Sequence, residues 1–132
     1  MTFDAQAIFA NLTEKERVNG HHSAEGRAIR TLSRALNGWV AGDLAAHDVI
    51  VLCDQAIEDW LKARLKLSQW SAMNISELLT AATASNCLAT NDAQRLREVH
   101  RLRTQSDSAS RDAAEVEAAL ASCIEIVDHY WL

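Results

Sequence analysis

The chain has 132 residues, the length of a single domain, and 48% of them are apolar, which is typical of a globular protein. It contains no proline and only four glycines, so little in the composition interrupts helices, and an all-α fold is predicted. The formal net charge of −5 argues against a general nucleic-acid coat, although it leaves room for a local basic patch.

Apolar spacing along the chain predicts one up-and-down bundle of about five helices, with one additional short helix, that spans residues 1–132. The first helix is predicted at residues 3–17. A second helix is predicted between a cap at Ser23 and a break at Gly42, with the Asn-Gly pair at 37–38 as a competing stop signal. Its buried stripe is predicted to comprise Ala28, Ile29, Leu32, Ala35 and Leu36.

The third helix, predicted at residues 43–67, is the strongest apolar element of the chain. Its apolar face is wider than the stripe of an ordinary surface helix, so we expect it to be the central and most buried helix. Glu58 and Lys62 are spaced to form an ion pair on its solvent side. The predicted buried face comprises Ile50, Cys53, Ile57, Trp60 and Leu61, and it is widened by Val49, Leu52 and Ala56.

A connection at residues 68–73 follows, and Trp70 is predicted to anchor it to the core. Asn74 and Glu77 have the spacing of a capping box, which predicts a short helix that ends near residue 85. This helix is expected to contact the core through Ile75, Leu78 and Leu79.

Two further helices complete the predicted bundle. One begins near Asn91, where Asn91 and Gln94 are expected to cap the helix reciprocally. The serine-rich stretch 104–110 is typical of a turn that caps the last helix, which begins near residue 111. The side chains predicted to point inward are Leu96, Val99 and Leu102 in the first helix, and Val116, Leu120, Cys123 or Ile124, Val127 and Tyr130 or Trp131 in the second.

Two stretches of the chain resemble HEPN-type domains. The sequence VIVLCDQAIEDWLKARL, residues 49–65, is similar to the long second core helix of that family, which carries an apolar run, an acidic residue and a second amphipathic half. The sequence ISELLTAATASNCLATNDAQRLREVHRLRTQSDSAS, residues 75–110, is similar to the family's short helix, loop and helix ending in LxxLHxLRNxxxH. The resemblance implies a HEPN-like core over residues 24–131. The matching residues are Leu96, Val99, His100, Leu102 and Arg103.

The family includes metal-independent ribonucleases and many inactive members. In the active members, the arginine and the histidine of an RxxxxH motif face each other from two subunits across a dimer interface. The resemblance maps the motif arginine onto Arg103, the next polar residue onto Thr104 and the histidine onto Ser108. A serine hydroxyl does not titrate near neutral pH and cannot replace an imidazole as general acid or base. The motif is therefore degenerate, and the chain is predicted not to be an enzyme.

The function that follows is a non-catalytic interaction or dimerisation module that works as a homodimer or on a partner protein. Because residues 43–67 and 111–132 carry more apolar surface than one side can bury, the interface is predicted there. HEPN-like topology would place residues 43–67 antiparallel to residues 91–105, with Arg103 and Ser108 near a two-fold axis. Many relatives occur in bacterial defence or toxin–antitoxin systems, so the resemblance implies a regulatory or antitoxin-like role.

The arginines of the same stretch leave a different function open. Arg97, Arg101 and Arg103 are candidates for a phosphate-binding patch that would hold RNA or a nucleotide, with His100 as the displaced general base of a weak ribonuclease. The competing interpretation is a solvated helix face balanced by nearby acids, with Arg103 bonding backbone carbonyls at the helix end. A helical bundle unrelated to HEPN domains is a third alternative.

The sequence predicts no cofactor and no metal site, because His21 and His22 have no matching cysteine or histidine nearby. Cys53, Cys87 and Cys123 are odd in number and widely spaced. Cys53 and Cys123 lie inside apolar helical patterns, so they are predicted to be buried free thiols in a reducing cytoplasm. No run of about 20 apolar residues is present, and the N-terminal residues do not resemble a secretory signal. A cytoplasmic protein without a membrane span is therefore predicted.

Overall fold

The computed structural model describes residues 9–10, 13–14, 24–68, 70–104 and 113–130. This part of the chain forms five helices and no strand, which confirms the all-α prediction. The helix predicted at residues 3–17 lies largely outside the described residues, although Phe9 is in the core. The helices are α1 (Ala24–Ala41), α2 (Ala46–Arg64), α3 (Ile75–Ala84), α4 (Thr90–Thr104) and α5 (Ala113–Tyr130).

Helix α2 is the centre of the bundle and contacts each of the other four helices. It begins and ends inside the predicted range, and its predicted face is buried, except that Leu52 is only half-buried. The Glu58 to Lys62 ion pair forms at 3.8 Å. The prediction that this pair lies on the solvent side of the helix is wrong for Lys62, because the lysine is buried. The lysine stem packs along apolar surface while its head reaches the carboxylate.

Glycines shape the turn between α1 and α2. Gly42 adopts φ 75°, a conformation that favours glycine, and ends α1 where the sequence predicts the break. The competing stop at residues 37–38 is not used, and α1 continues through it. A Cβ atom at Gly38 would collide with the Leu44 side chain. Because Gly38 has no side chain, α1 can lie close to Leu44, in the segment that leads into α2.

The capping box at the start of α3 is confirmed. The Asn74 side chain accepts a hydrogen bond from the Glu77 backbone N–H at 2.9 Å, and Glu77 Oε1 accepts one from the Asn74 backbone N–H at 3.1 Å. The reciprocal cap predicted for Asn91 and Gln94 is wrong. Helix α4 begins at Thr90, which places Asn91 inside its first turn rather than before it.

Long-range hydrogen bonds fix the directions of the helices. Asp54, in the middle of α2, bonds Arg103 near the end of α4, whereas Arg64 at the end of α2 reaches the Cys87 carbonyl just before α4. Helices α2 and α4 are therefore antiparallel. Arg64 also donates to the carbonyl of Tyr130, the last residue of α5, at 3.1 Å. This contact brings the C-terminal ends of α2 and α5 together.

Trp70 is not a core anchor, and that prediction is wrong, because its side chain is 84% exposed. Helix α2 ends in a turn where Lys66 adopts φ 59°. Ser68 then organises the next turn by accepting a hydrogen bond from the Trp70 backbone N–H at 3.1 Å on its hydroxyl. Local hydrogen bonds close the connection on itself, and the core is filled by Trp60 of α2 instead.

Of the apolar surplus predicted for residues 43–67 and 111–132, the described residues expose one large side chain, that of Leu67, which lies just beyond the end of α2. Among the described residues, the exposed large apolar side chains are Val40, Leu67 and Trp70, and none of them lies in either helix. The apolar faces of α2 and α5 are instead covered by neighbouring helices of the same chain. No helix in the described part of the chain is long and apolar enough to cross a membrane.

Candidate functional site

A buried carboxylate joins α2 to the C-terminal half of α4. Asp54 is only 3% exposed, and its Oδ2 atom lies 2.9 Å from Arg103 Nη1 and 3.0 Å from His100 Nδ1. His100 and Arg103 are three residues apart, so helical spacing places both beside α2. Their side chains are 36% and 34% exposed, which leaves the outer edge of the group open to solvent. We call Asp54, His100 and Arg103 the Asp54 cluster.

The chemistry of the Asp54 cluster follows from which groups donate. A buried carboxylate is costly unless it is paired, and Arg103 supplies a permanent positive charge. An ionised carboxylate only accepts hydrogen bonds, so His100 donates to Asp54 through Nδ1. Nε2 is then the ring nitrogen that the contact with Asp54 does not use. A carboxylate that orients an imidazole in this way is a common feature of general-base sites.

The spacing of residues along α4 does not predict the partner of His100. Asp54 is 46 residues away in the chain and belongs to a different helix. The available signal was the single acidic residue inside the apolar run of residues 49–57. A carboxylate at a position that the helical period predicts to be buried requires a cationic partner.

The three arginines predicted as a phosphate patch have three different partners. Arg103 bonds Asp54, Arg97 donates to the Thr80 hydroxyl at 3.3 Å, and Arg101 pairs with Glu98, with Nε at 2.8 Å. The hydrogen bond from Arg101 holds the pKa of Glu98 below its usual value. Two of the three guanidinium groups are therefore already matched by carboxylates.

The motif positions are only partly within the described residues. The alternative interpretation had Arg103 bonding backbone carbonyls at the helix end. Among the described residues, Arg103 instead donates to the Asp54 side chain. The Thr104 hydroxyl donates to the Arg101 carbonyl at 3.0 Å and turns back onto its own helix. Ser108 lies outside the described residues, as do His21 and His22.

An apolar groove lies between α4 and α5. It has a volume of about 260 Å³. None of the residues that line it belongs to the Asp54 cluster. We call it the α4–α5 groove. Its lining consists of Val99, Leu102, Ala118, Ala119 and Ser122, with Arg95, Glu98 and Glu115 as its charged residues.

The cysteines and histidines form no metal site within the part of the chain that the structure describes. Cys53 and Cys123 are free and buried, as predicted, and Cys87 is free and half-buried. A hydrogen bond with the Cys53 thiol, together with burial, raises the pKa of Cys123 well above its usual value. Both buried thiols therefore belong to the packed core.

No protein-family model, curated protein or solved structure matches this chain. The all-α class is the finest assignment that structure and comparisons support. The HEPN-like resemblance stays a prediction.

Proposed function

We propose that this chain is a non-catalytic, HEPN-like interaction module that recognises a second copy of itself or a partner protein through the connection between α2 and α3. The degenerate motif, with Ser108 in place of the histidine, supports the absence of ribonuclease activity. The antiparallel arrangement of α2 and α4 and the Asp54–Arg103 hydrogen bond are compatible with the family's core.

The observation that carries the proposal is the exposure of Trp70. A side chain of this size is seldom left 84% exposed, and tryptophan is enriched among the residues that dominate binding energy at protein interfaces. Leu67, 36% exposed, lies three residues earlier on the same connection. We call residues 65–68 and 70–74 the Trp70 loop and place the recognition surface there.

A differential capture experiment tests this function. Tagged wild-type chain and the Trp70→Ser variant are used as baits in extracts of the source cells, and the recovered proteins are compared by mass spectrometry. We expect at least one protein, either the untagged chain or another, to be recovered by wild type and lost with the variant. Val40→Ser is the matched control, because Val40 is 54% exposed and lies in α1. Equal recovery by all three baits would contradict the proposal.

The Asp54 cluster favours a second candidate function, the binding of RNA or a nucleotide with His100 as general base. The supporting observation is that Asp54 orients His100 beside the permanent cation of Arg103, a combination suited to a phosphodiester. At low salt, a short oligoribonucleotide should bind and lose affinity when Arg97, Arg101 and Arg103 are replaced by alanine.

The matched control for that experiment is Arg95→Ala, since Arg95 lies on the same helix but pairs with Glu125 at 2.8 Å. His100→Gln should abolish any cleavage while leaving binding in place. If no oligoribonucleotide binds at low salt, this second function is ruled out.

A further inference from the structure

The imidazole of His100 has one ring nitrogen held by the protein and one in contact with solvent. Nδ1 lies 3.0 Å from Asp54 Oδ2, and the side chain is 36% exposed. Nε2 makes no hydrogen bond with a described residue. It is also not one of the buried nitrogen atoms that lack a partner, which in the described part of the chain belong to His47, Trp60 and Arg64. Nε2 is therefore accessible to a small reactant.

Asp54 determines which ring nitrogen carries the proton. An ionised carboxylate only accepts hydrogen bonds, so Nδ1 carries the proton and Nε2 of the neutral imidazole carries the lone pair. Such a nitrogen is a nucleophile that forms covalent intermediates. Attack through Nε2 leaves a positive charge on the ring, and the hydrogen bond from Nδ1 to Asp54 stabilises that charge. The contact with Asp54 therefore favours the product of the attack.

Arg103 places a permanent positive charge beside the same imidazole. It donates to the Asp54 oxygen that also accepts from His100, so the guanidinium and the ring are neighbours. Arg97 lies one turn before His100 on α4, and its hydrogen bond goes to a neutral group, the Thr80 hydroxyl. Guanidinium groups bind phosphate oxygens well, so a phosphoryl group is the electrophile that these neighbours favour.

The carboxylates of α2 and α4 near the Asp54 cluster already have cationic partners. The pairs are Asp54 with Arg103, Glu98 with Arg101, and Glu58 with Lys62. Asp54 is also separated from Nε2 by the imidazole ring itself, because it contacts the opposite nitrogen. These pairs reduce the repulsion that an incoming phosphoryl group meets.

We propose that His100 is a phosphoacceptor and that its Nε2 takes a phosphoryl group from an acyl phosphate. The Nε2–P bond forms, the bond between phosphorus and the acyl oxygen breaks, and the leaving group departs as a carboxylate with the bonding electron pair. The proton stays on Nδ1, bonded to Asp54, and the carboxylate leaves without needing a general acid. This modification goes beyond the proposed function, since it requires neither the Trp70 loop nor RNA.

Labelling of the purified chain with acetyl phosphate, a small acyl phosphate, tests the assignment. Because a phosphorylated imidazole is hydrolysed in acid, the product is digested under alkaline conditions and the modified residue is located by mass spectrometry. We expect one of the five histidines, His100, to carry the label, and His100→Gln to lose it. His129→Gln should keep the label and is the matched control, because His129 is exposed on α5 outside the Asp54 cluster.

The position of the label on the ring tests the geometry itself. Nitrogen-15 NMR distinguishes a phosphoryl group on Nε2 from one on Nδ1, and it shows which nitrogen carries the proton. We expect phosphorylation at Nε2 with the proton on Nδ1. In urea the preference for His100 over the other histidines should disappear, because it depends on contacts between two helices.

A folded wild-type chain that takes no label would overturn the assignment. The same conclusion would follow from label spread over the exposed histidines, from label that survives in His100→Gln, or from attachment at Nδ1. The proposed function is tested separately by capture through Trp70. Trp70→Ser should be labelled like the wild type, so failure of one proposal leaves the other standing.

Discussion

Asp54 determines the geometry of the Asp54 cluster at the scale of single residues. It accepts hydrogen bonds from the His100 imidazole and the Arg103 guanidinium, and about a third of each of these side chains is exposed to solvent. Replacing the carboxylate by an amide would leave Arg103 without its counter-ion and would place an amide N–H donor near two other donors. We expect Asp54→Asn to lower the free energy of unfolding by about 2 kcal/mol, measured by urea denaturation.

Asp59→Asn serves as the matched control for that measurement. Asp59 is half-exposed on the same helix, so its replacement should change the free energy of unfolding by less than about 0.5 kcal/mol. A double-mutant cycle of Asp54→Asn with Arg103→Gln should show clear coupling. Strictly additive effects of the two substitutions would mean that the contact between Asp54 and Arg103 does not contribute to stability.

The residue scale also shows what sequence periodicity omits. The helical period correctly predicts that Leu96, Val99 and Leu102 point inward, because burial on one face repeats along a single helix. It cannot pair His100 with Asp54, because that contact depends on how two helices cross. The sequence predicts the wrong environment for Trp70 for a related reason. A short connection has no helical period, so its sequence does not show which side chains face the core and which face solvent.

At the scale of single elements, α3 depends on its N-terminal cap. The capping box satisfies two backbone N–H groups in a helix of only ten residues. We expect Asn74→Ala to lower the free energy of unfolding by about 1 kcal/mol, as is typical for loss of such a cap, with the loss detected by urea denaturation.

Hydrogen exchange should place the effect of Asn74→Ala within α3. The control is Ser76→Ala, which alters an exposed residue of the same turn and leaves both capping hydrogen bonds in place. Equal loss of stability in the two variants would show that the cap is not the cause. The success of this sequence prediction has a local basis, since the spacing of Asn74 and Glu77 is sufficient to form the box.

At the scale of the whole molecule, Tyr130 ties the end of α5 to the segment that leads into α4. Its hydroxyl donates to Asp92 at 2.7 Å and accepts from the Ala89 backbone N–H at 2.9 Å. Burial raises the pKa of Tyr130. The hydrogen bond and the negative charge of Asp92 raise it further, while the Ala89 N–H and Arg64 act in the opposite direction.

A raised pKa means that the folded state favours the protonated phenol. The resulting stabilisation is fully present below the pKa of an unfolded tyrosine, about 10, and is lost as the pH rises through the folded pKa. Tyr130 is the only tyrosine of the chain, so the ultraviolet absorbance of tyrosinate reports on it alone. We expect a titration midpoint above that of the urea-unfolded protein, and Asp92→Asn should lower it. Identical midpoints in the folded and unfolded states would contradict the described environment.

The sequence by itself determined the all-α class, the central helix, the core face of each described helix and the cap of α3. These features depend on helix propensity, apolar period and contacts between residues a few positions apart, which a linear pattern records directly. The tertiary structure alone decided that Asp54 joins His100 to Arg103, that the three arginines take separate partners and that Trp70 faces solvent. Each of these outcomes depends on the packing of distant elements or the path of a connection, and neither is encoded in local spacing.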